Sequence, residues 1–413
     1  MSAAFLVETP SRVYRSLPRA LRKPLLPLAQ AAFSSLRRAA LILAQVRLTV
    51  FRLQGPERSG GRPATVFVFG AKGSWPFIAE LVFSRLEKKE ELGRILIGRL
   101  PRFLASQATR PDIVIVHADE VYRRLLRKRG FVHLPEWVSF RFDLSRPPEQ
   151  TWKQARSKNL QENMRRIRKY GYTSVVTHDP AQFDFFYQEM YLPYIPRKYG
   201  ESTELVGPQF MRLFFESGLL LLVKSGDEIV SGSIIIAGTA GAKAMAIGVR
   251  EGKEKFRREG ALAACYYFTT LWAWGKGYPS VDFGECRPFF DDGLFYFKKR
   301  WGMRLERYSH RHNAFGLAIA PTAAALDFLQ ANPFIVQGRH GLEGRVLAGS
   351  DHALTAGEMN ALLRSYLVPG LDRLVIVSMK GFDPAVERTI AEKHAGQVDL
   401  IHGSAESLFS ARS

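Results

Sequence analysis

The chain has 413 residues, 46% of them apolar, and two cysteines, Cys265 and Cys286. That length supports two or three domains with ample core, and two cysteines exclude the disulfide framework of a small secreted protein, so a reduced cytoplasm is the expected setting. The formal net charge of +20 is concentrated in the first 180 residues, which hold 33 of the 59 Lys and Arg and 14 of the 39 Asp and Glu. Anionic lipid, nucleotide phosphates and RNA are the partners such a charge selects.

Residues 1–57 read as a basic amphipathic leader, with Arg12, Arg15, Arg19, Arg22 and Lys23 ahead of an apolar stretch. Its longest uncharged run, Pro24 to Leu36, is 13 residues with two prolines, too short and too interrupted to span a membrane. A helix over Phe33 to Val50 would carry Arg on one face. It suits peripheral contact with an anionic membrane on its inner face, or packing on the protein. GPERSGGRPA (residues 55–64) has the composition of a linker.

TVFVFG (65–70) reads as a buried strand, and AKGSWPFIAELVFSRLEKKEEL (71–92) as a turn and an amphipathic helix. RILIGRL (94–100) and PDIVIVHAD (111–119) are strands, Glu120 to Arg129 a basic helix, and PEWVSFRFDLS (135–145) an alternating strand. These make one α/β unit. The Ala71-Lys72-Gly73-Ser74 turn lacks the first glycine of a phosphate loop at the required distance.

Thr151 to Gly171 reads as one helix, with cations at spacings of three and four on one face and Leu160, Met164 and Ile167 on another. An aromatic-rich helix from Gln182 to Tyr191 ends at Pro193. Pro193 and Pro196 then place Arg197, Lys198 and Tyr199 on an irregular segment. Leu219 to Gly252 is a three-stranded meander, and EKFRREGALAACYYF opens a long helix. Next come the strand SVDFG, an acidic loop from Glu285 to Gly293, three aromatics and the run Lys298, Lys299, Arg300. RLERYSHRHNAFGLAI (304–319) is a closing strand pair. His310 and His312 share a strand face with no third ligand nearby, so no metal is expected. Beyond Pro333 the pattern is β-α-β-α-β, a small α/β appendage.

Three segments in order, SKNLQENMRRIRKYG (157–171), FYQEMYLPYIPRKYG (186–200) and DFGECRPFFDDGLFYFKKRWG (282–302), resemble the FemAB-type peptidyl- and acyltransferases, whose domains have the acetyltransferase-like (GNAT) fold. The resemblance covers roughly residues 64–317. It implies an α/β protein of two GNAT-like halves, 58–147 (incomplete) and 148–320, with mixed central sheets flanked by helices, between the leader and an appendage at 333–413. It implies transfer of an acyl or aminoacyl group to an amine or hydroxyl of a phosphate-bearing, lipid-linked or small-molecule acceptor. No cofactor is held tightly; acyl-CoA or aminoacyl-tRNA is the co-substrate.

Lys298 matches the family's Lys near the acyl carbonyl and is expected to stabilise charge. The candidate proton acceptors are Asp282, Glu285, Asp291 and Asp292, of which Asp292, beside the Gly293 turn, is chosen. Lys158, Arg197, Tyr199 and Arg287 are the expected substrate-binding residues. Arg197 would grip phosphate through its planar fork. Arg257-x-x-Gly260 before a helix is similar to an acyl-CoA pyrophosphate loop, in which backbone N–H groups and the helix dipole hold the anion. Leu262 stands where that motif has Gly or Ala. The rival readings are a non-catalytic GNAT-like scaffold at an anionic membrane and a nucleic-acid-binding module.

Overall fold

The computed structural model describes residues 35, 38–155, 157–199, 205–308, 312–338 and 341–410. It divides into two compact units, residues 1–133 with 312–325, and residues 134–311 with 326–413. Among the described residues no helix is long and apolar enough to cross a membrane.

The first unit is built on a six-stranded sheet in the order Lys88–Leu96, Arg47–Pro56, Pro63–Gly70, Ile113–Asp119, Asn313–Ile319 and Val132–Pro135. Its apolar core is drawn from alternating strand residues, among them Leu48, Val50, Phe67, Phe69, Val114 and Val116. Of the expected leader, residues 1–34, 36 and 37 lie outside the described residues. The rest corrects the expectation. Arg47–Pro56 is an internal strand, registered against Pro63–Gly70 from Thr49↔Gly70 to Pro56↔Pro63. GPERSGGRPA is therefore the end of a hairpin. Glycine, proline and serine mark a chain reversal as well as a linker, and here Glu57 settles the matter. Its fully buried carboxylate accepts hydrogen bonds from Ser59 N, Ser59 Oγ and Gly60 N.

The helix expected through residue 92 stops at Val82, and KKEELGRIL forms a strand instead. That strand lies at the sheet's edge, where alternating charges are a usual guard against further pairing. Helix periodicity and a charged edge strand are hard to separate by composition.

The second unit holds a seven-stranded sheet in the order Arg304–Arg307, Val138–Asp143, Ser280–Cys286, Gly241–Val249, Glu228–Gly238, Leu219–Ser225 and Tyr172–Thr177. This is the mixed α/β arrangement expected. The domain boundaries are corrected, however. Val138–Asp143, assigned to the first half, pairs with Ser280–Cys286, while Asn313–Ile319, assigned to the second, pairs with Ile113–Asp119. Strand alternation reports which face is buried, not which sheet the strand joins.

The C-terminal β-α-β-α-β pattern is found as read. Leu342–Ala348, Arg373–Ser378 and Val398–His402 are parallel, with helices Ala356–Tyr366 and Pro384–Lys393 between them and Phe334–Gln337 added at one edge. It is no separate appendage: Leu342, Val346 and Leu374 share one apolar cluster with Phe290, Phe295 and Trp301.

Candidate active site

The long strands Gly241–Val249 and Ser280–Cys286 run parallel, yet they pair only at Ala242↔Val281 and Lys243↔Asp282. Beyond those two pairs the ladder between the two strands stops. A register irregularity on each strand accompanies the parting, at Ala244/Ala246 and at Asp282/Glu285. Gly284 takes φ +76°, a left-handed conformation that favours glycine at that bend.

Asp282 and Lys298 hold the bend. Asp282 Oδ1 accepts from Gly284 N at 2.7 Å and from Ser139 Oγ at 3.0 Å, and Lys243 Nζ lies 3.6 Å from Oδ2. Lys298, on the helix Gly293–Arg300, is 0% exposed and donates to Gly284 O and Glu285 O, both at 2.9 Å. Burial pushes its pKa down, while the charges of Asp282, Glu285 and Asp292 act in the opposite direction. Asp292 caps the same helix through Oδ1 alone, which accepts from Leu294 N at 3.0 Å and Phe295 N at 2.9 Å. Cys286 is buried beside them, and burial raises its thiol to about 12. A thiol protonated at neutral pH is no nucleophile.

A second wall comes from the helix Leu192–Tyr199 and the segment from Arg250 to Gly260. Pro193 and Pro196 do not break the chain into a loop, as expected, because a π-helical turn, Tyr187–Tyr191, runs directly into the helix. Such turns accommodate an interrupted hydrogen-bond ladder. Glu251 sits at φ +49°, and Arg197 Nη1 donates to its carbonyl at 2.7 Å. Lys198 is half-buried. Desolvation lowers its pKa, Arg257 adds to that, and Asp292 and Glu254 oppose it. Tyr194 is buried, which raises its phenol to about 12. The carboxylate of Asp292 thus acts on both Lys298 and Lys198.

The expected site residues fare unequally. Lys298 and Asp292 are brought together, but Lys298 touches no solvent and is committed to two carbonyls. Both bonds hold the Gly284 and Glu285 carbonyls at the bend. Arg197 is exposed, with one nitrogen spent on the Glu251 turn. Lys158 is exposed at the start of Lys158–Lys169. Tyr199 ends its helix, and its side chain lies outside the described residues. Arg287 lies over the Trp137 ring, 3.7 Å from the centroid, with Glu136 Oε1 at 3.4 Å.

At the expected pyrophosphate loop the donors have partners within the protein. Gly260 N donates to Arg257 O at 3.2 Å, as the left-handed cap of the helix Glu254–Glu259, so its N–H is spoken for. Arg257 Nη2 is 2.7 Å from Glu254 Oε2. The sequence placed neither Lys243 nor Ser139 in the site. Nothing in a strand's own alternation signals a partner from another strand. Among the described residues no group of three metal-ligating side chains occurs.

No family model matches the chain, and no curated protein matches it. Among solved structures it is similar to FemX, at 13% identity over 62% of this chain and 81% of that one, with a TM-score of 0.34. It is also similar to L-PGS from Bacillus licheniformis, at 14% identity over 64% of this chain and 82% of that one, TM-score 0.32. A third is a GCN5-related N-acetyltransferase from Sphaerobacter thermophilus, at 11% identity over 64% and 75%, TM-score 0.29.

Proposed function

We propose that the chain is an acyl- or aminoacyltransferase that works in the gap between the strands Gly241–Val249 and Ser280–Cys286. The acceptor is an amine or hydroxyl on a phosphate-bearing envelope, lipid or saccharide precursor. The observation that carries this reading is the parting of those strands after two residue pairs, with the Asp292, Lys198 and Lys298 charges beside it.

The acceptor's lone pair attacks the donor carbonyl carbon, the carbonyl π electrons move to oxygen, and the resulting oxyanion collapses with loss of the donor's oxygen or sulfur. Lys198, half-buried beside Asp292, is the cation that stabilises the oxyanion. Asp292 takes the acceptor's proton on Oδ2, since both of its capping bonds fall on Oδ1. Lys298 fixes the carbonyls of Gly284 and Glu285, so the bent strand cannot close onto its neighbour. Arg197 and Lys158 are the exposed cations for acceptor or donor phosphates. With the Gly260 amide and the Arg257 side chain already partnered, aminoacyl-tRNA is the preferred donor over acyl-CoA.

The test uses the full chain with labelled aminoacyl-tRNA, or labelled acyl-CoA, and anionic phospholipid vesicles or nucleotide-linked saccharides as acceptors. Label should move to one acceptor class. Lys198→Met should cut turnover by roughly two to three decades. Lys298→Met should cut it as well, with donor binding retained. Folded protein that moves label from neither donor, or a Lys198→Met variant equal to the parent, overturns the reading.

A further inference from the structure

The helix Gly293–Arg300, capped by Asp292 and carrying Lys298, is held in place by the C-terminal strands and helices. The segment just before it joins the edge of their sheet. Ile335 N donates to Pro288 O at 2.8 Å, Phe289 forms an antiparallel bridge with Phe334, and Phe290 N donates to Pro333 O at 3.0 Å. The segment after it is fixed too, since Leu305 N donates to Pro369 O at 2.8 Å. Between them lies the turn Phe289–Asp292, closed by the bond from Asp292 N to Phe289 O at 3.1 Å. In that turn Asp291 is tied by its side chain.

Two consecutive residues at the end of the helix Ala356–Tyr366 make the side-chain ties. The Tyr366 hydroxyl donates a hydrogen bond to the Asp291 carboxylate, and Lys299 Nζ donates to Ser365 O. Asp291 precedes the cap and Lys299 lies in the last turn, so Ser365 and Tyr366 reach both ends of the helix Gly293–Arg300. The Tyr366 ring also packs edge-on against the buried Phe290, with centroids 5.3 Å apart, and Phe290 packs on Phe295 at 5.1 Å. Ring and hydroxyl therefore do separate things. The ring belongs to the apolar cluster, and the hydroxyl alone reaches the turn.

Burial and the Asp291 charge hold the Tyr366 phenol at about 12, so at neutral pH it is a donor and not a base. Among the described residues the Asp291 carboxylate accepts no second hydrogen bond. One bond thus anchors the residue next to the cap. Asp292 spends Oδ1 on Leu294 N and Phe295 N, and where its Oδ2 points follows from how the turn is held. A displacement of about 1 Å in a reacting group is enough to cost about a hundredfold in rate.

We propose that Tyr366 is a positioning residue for transfer: its hydroxyl, by holding Asp291, sets the turn that aims Asp292 Oδ2 at the acceptor. The catalytic consequence rests on the transfer reading above. The structural half, the hold of the hydroxyl on the cap, is read without any substrate. The C-terminal strands and helices then have a task, which is to mount the helix Gly293–Arg300.

Tyr366→Phe removes one oxygen and keeps the ring on Phe290, so the full chain should melt near the parent's temperature. Native-state amide exchange, read by mass spectrometry, should quicken by about tenfold or more at Leu294 and Phe295, the amides that Asp292 caps, and stay unchanged in the strand Ser280–Cys286. In the labelled transfer assay kcat should fall by about tenfold or more with KM for donor and acceptor unchanged. Asp291→Ala should match Tyr366→Phe. Asp291→Asn, whose amide oxygen still accepts from the phenol, should recover most of what Asp291→Ala loses. Combining Tyr366→Phe with Asp291→Ala should be no worse than either alone, since both remove one bond. Exchange at the two amides equal to the parent's overturns the proposal. So does a loss in Asp291→Asn as deep as in Asp291→Ala, which would make the Asp291 charge the active element. If the parent moves no label, the transfer reading falls, and exchange still decides whether Tyr366 holds the cap.

Discussion

Lys299 and Lys298 are adjacent on one helix, and substituting Lys299 tests the electrostatics of that helix. Lys299 donates to Ser365 O, and burial brings its pKa from 10.5 to about 8, with Asp291 opposing. A depressed lysine destabilises the fold while it must stay charged. Below the folded value both states are protonated and the cost is complete. Between about 8 and 10.5 the unfolded chain holds more protons than the native one, so stability rises with pH. The full shift corresponds to about 3 kcal/mol. The side chain is partly exposed, and solvent screening reduces that to about 1–2 kcal/mol. Lys299→Met removes this cost at neutral pH but loses the Ser365 bond, about 0.5–1.5 kcal/mol, so its net effect near pH 7 is small. The diagnostic is the slope. In urea unfolding at about pH 7 and about pH 9.5, the parent should gain about 1 kcal/mol on Lys299→Met. Lys298→Met should show the same sign. Parallel stabilities for parent and Lys299→Met at the two pH values would refute the burial assigned to this lysine.

Two further outcomes follow from the packing. Deleting residues 1–57 removes the strand carrying the buried Leu48, Val50, Phe51 and Leu53. At about 2 kcal/mol each the loss is about 8 kcal/mol, of the order of a domain's whole stability. The deletion should abolish the unfolding transition of the first unit in calorimetry, and an unchanged transition would show that the strand is dispensable. Cys265 and Cys286, both raised to about 12 by burial, should resist iodoacetamide at about pH 8 in the native protein and react after unfolding. Native-state alkylation of Cys286, read by mass spectrometry, would refute the burial assigned to it.

Several elements were legible from local pattern. PDIVIVHAD and RLVIVS are continuous apolar runs, and the C-terminal β-α-β-α-β order was read as it stands. Asp292 was read as a proton acceptor in an acidic loop, and its capping of the helix Gly293–Arg300, where it accepts from Leu294 N and Phe295 N, was not read. KKEELGRIL failed because its charges suit a helix surface and an edge strand alike. Thr151 to Gly171 was read as one helix. It is two, Pro148–Gln154 and Lys158–Lys169, and Ser157 caps the second by accepting from Leu160 N.

The sequence by itself determined the α/β class, the strands with continuous apolar runs, the C-terminal β-α-β-α-β order and the clustering of charge, because propensity and period act over a few neighbouring residues. Only the tertiary structure decided that Val138–Asp143 and Asn313–Ile319 join the sheets they do. It also decided that residues 47–56 are core and that Lys298 is sealed against Gly284 and Glu285. The same holds for Arg345, which the fold buries beside Glu343. Each of these depends on a partner distant in the chain. A lysine or arginine in sequence reads as solvated until the fold shows which carbonyls or carboxylates surround it, and burial then turns an ordinary surface charge into a structural or ligand-binding one.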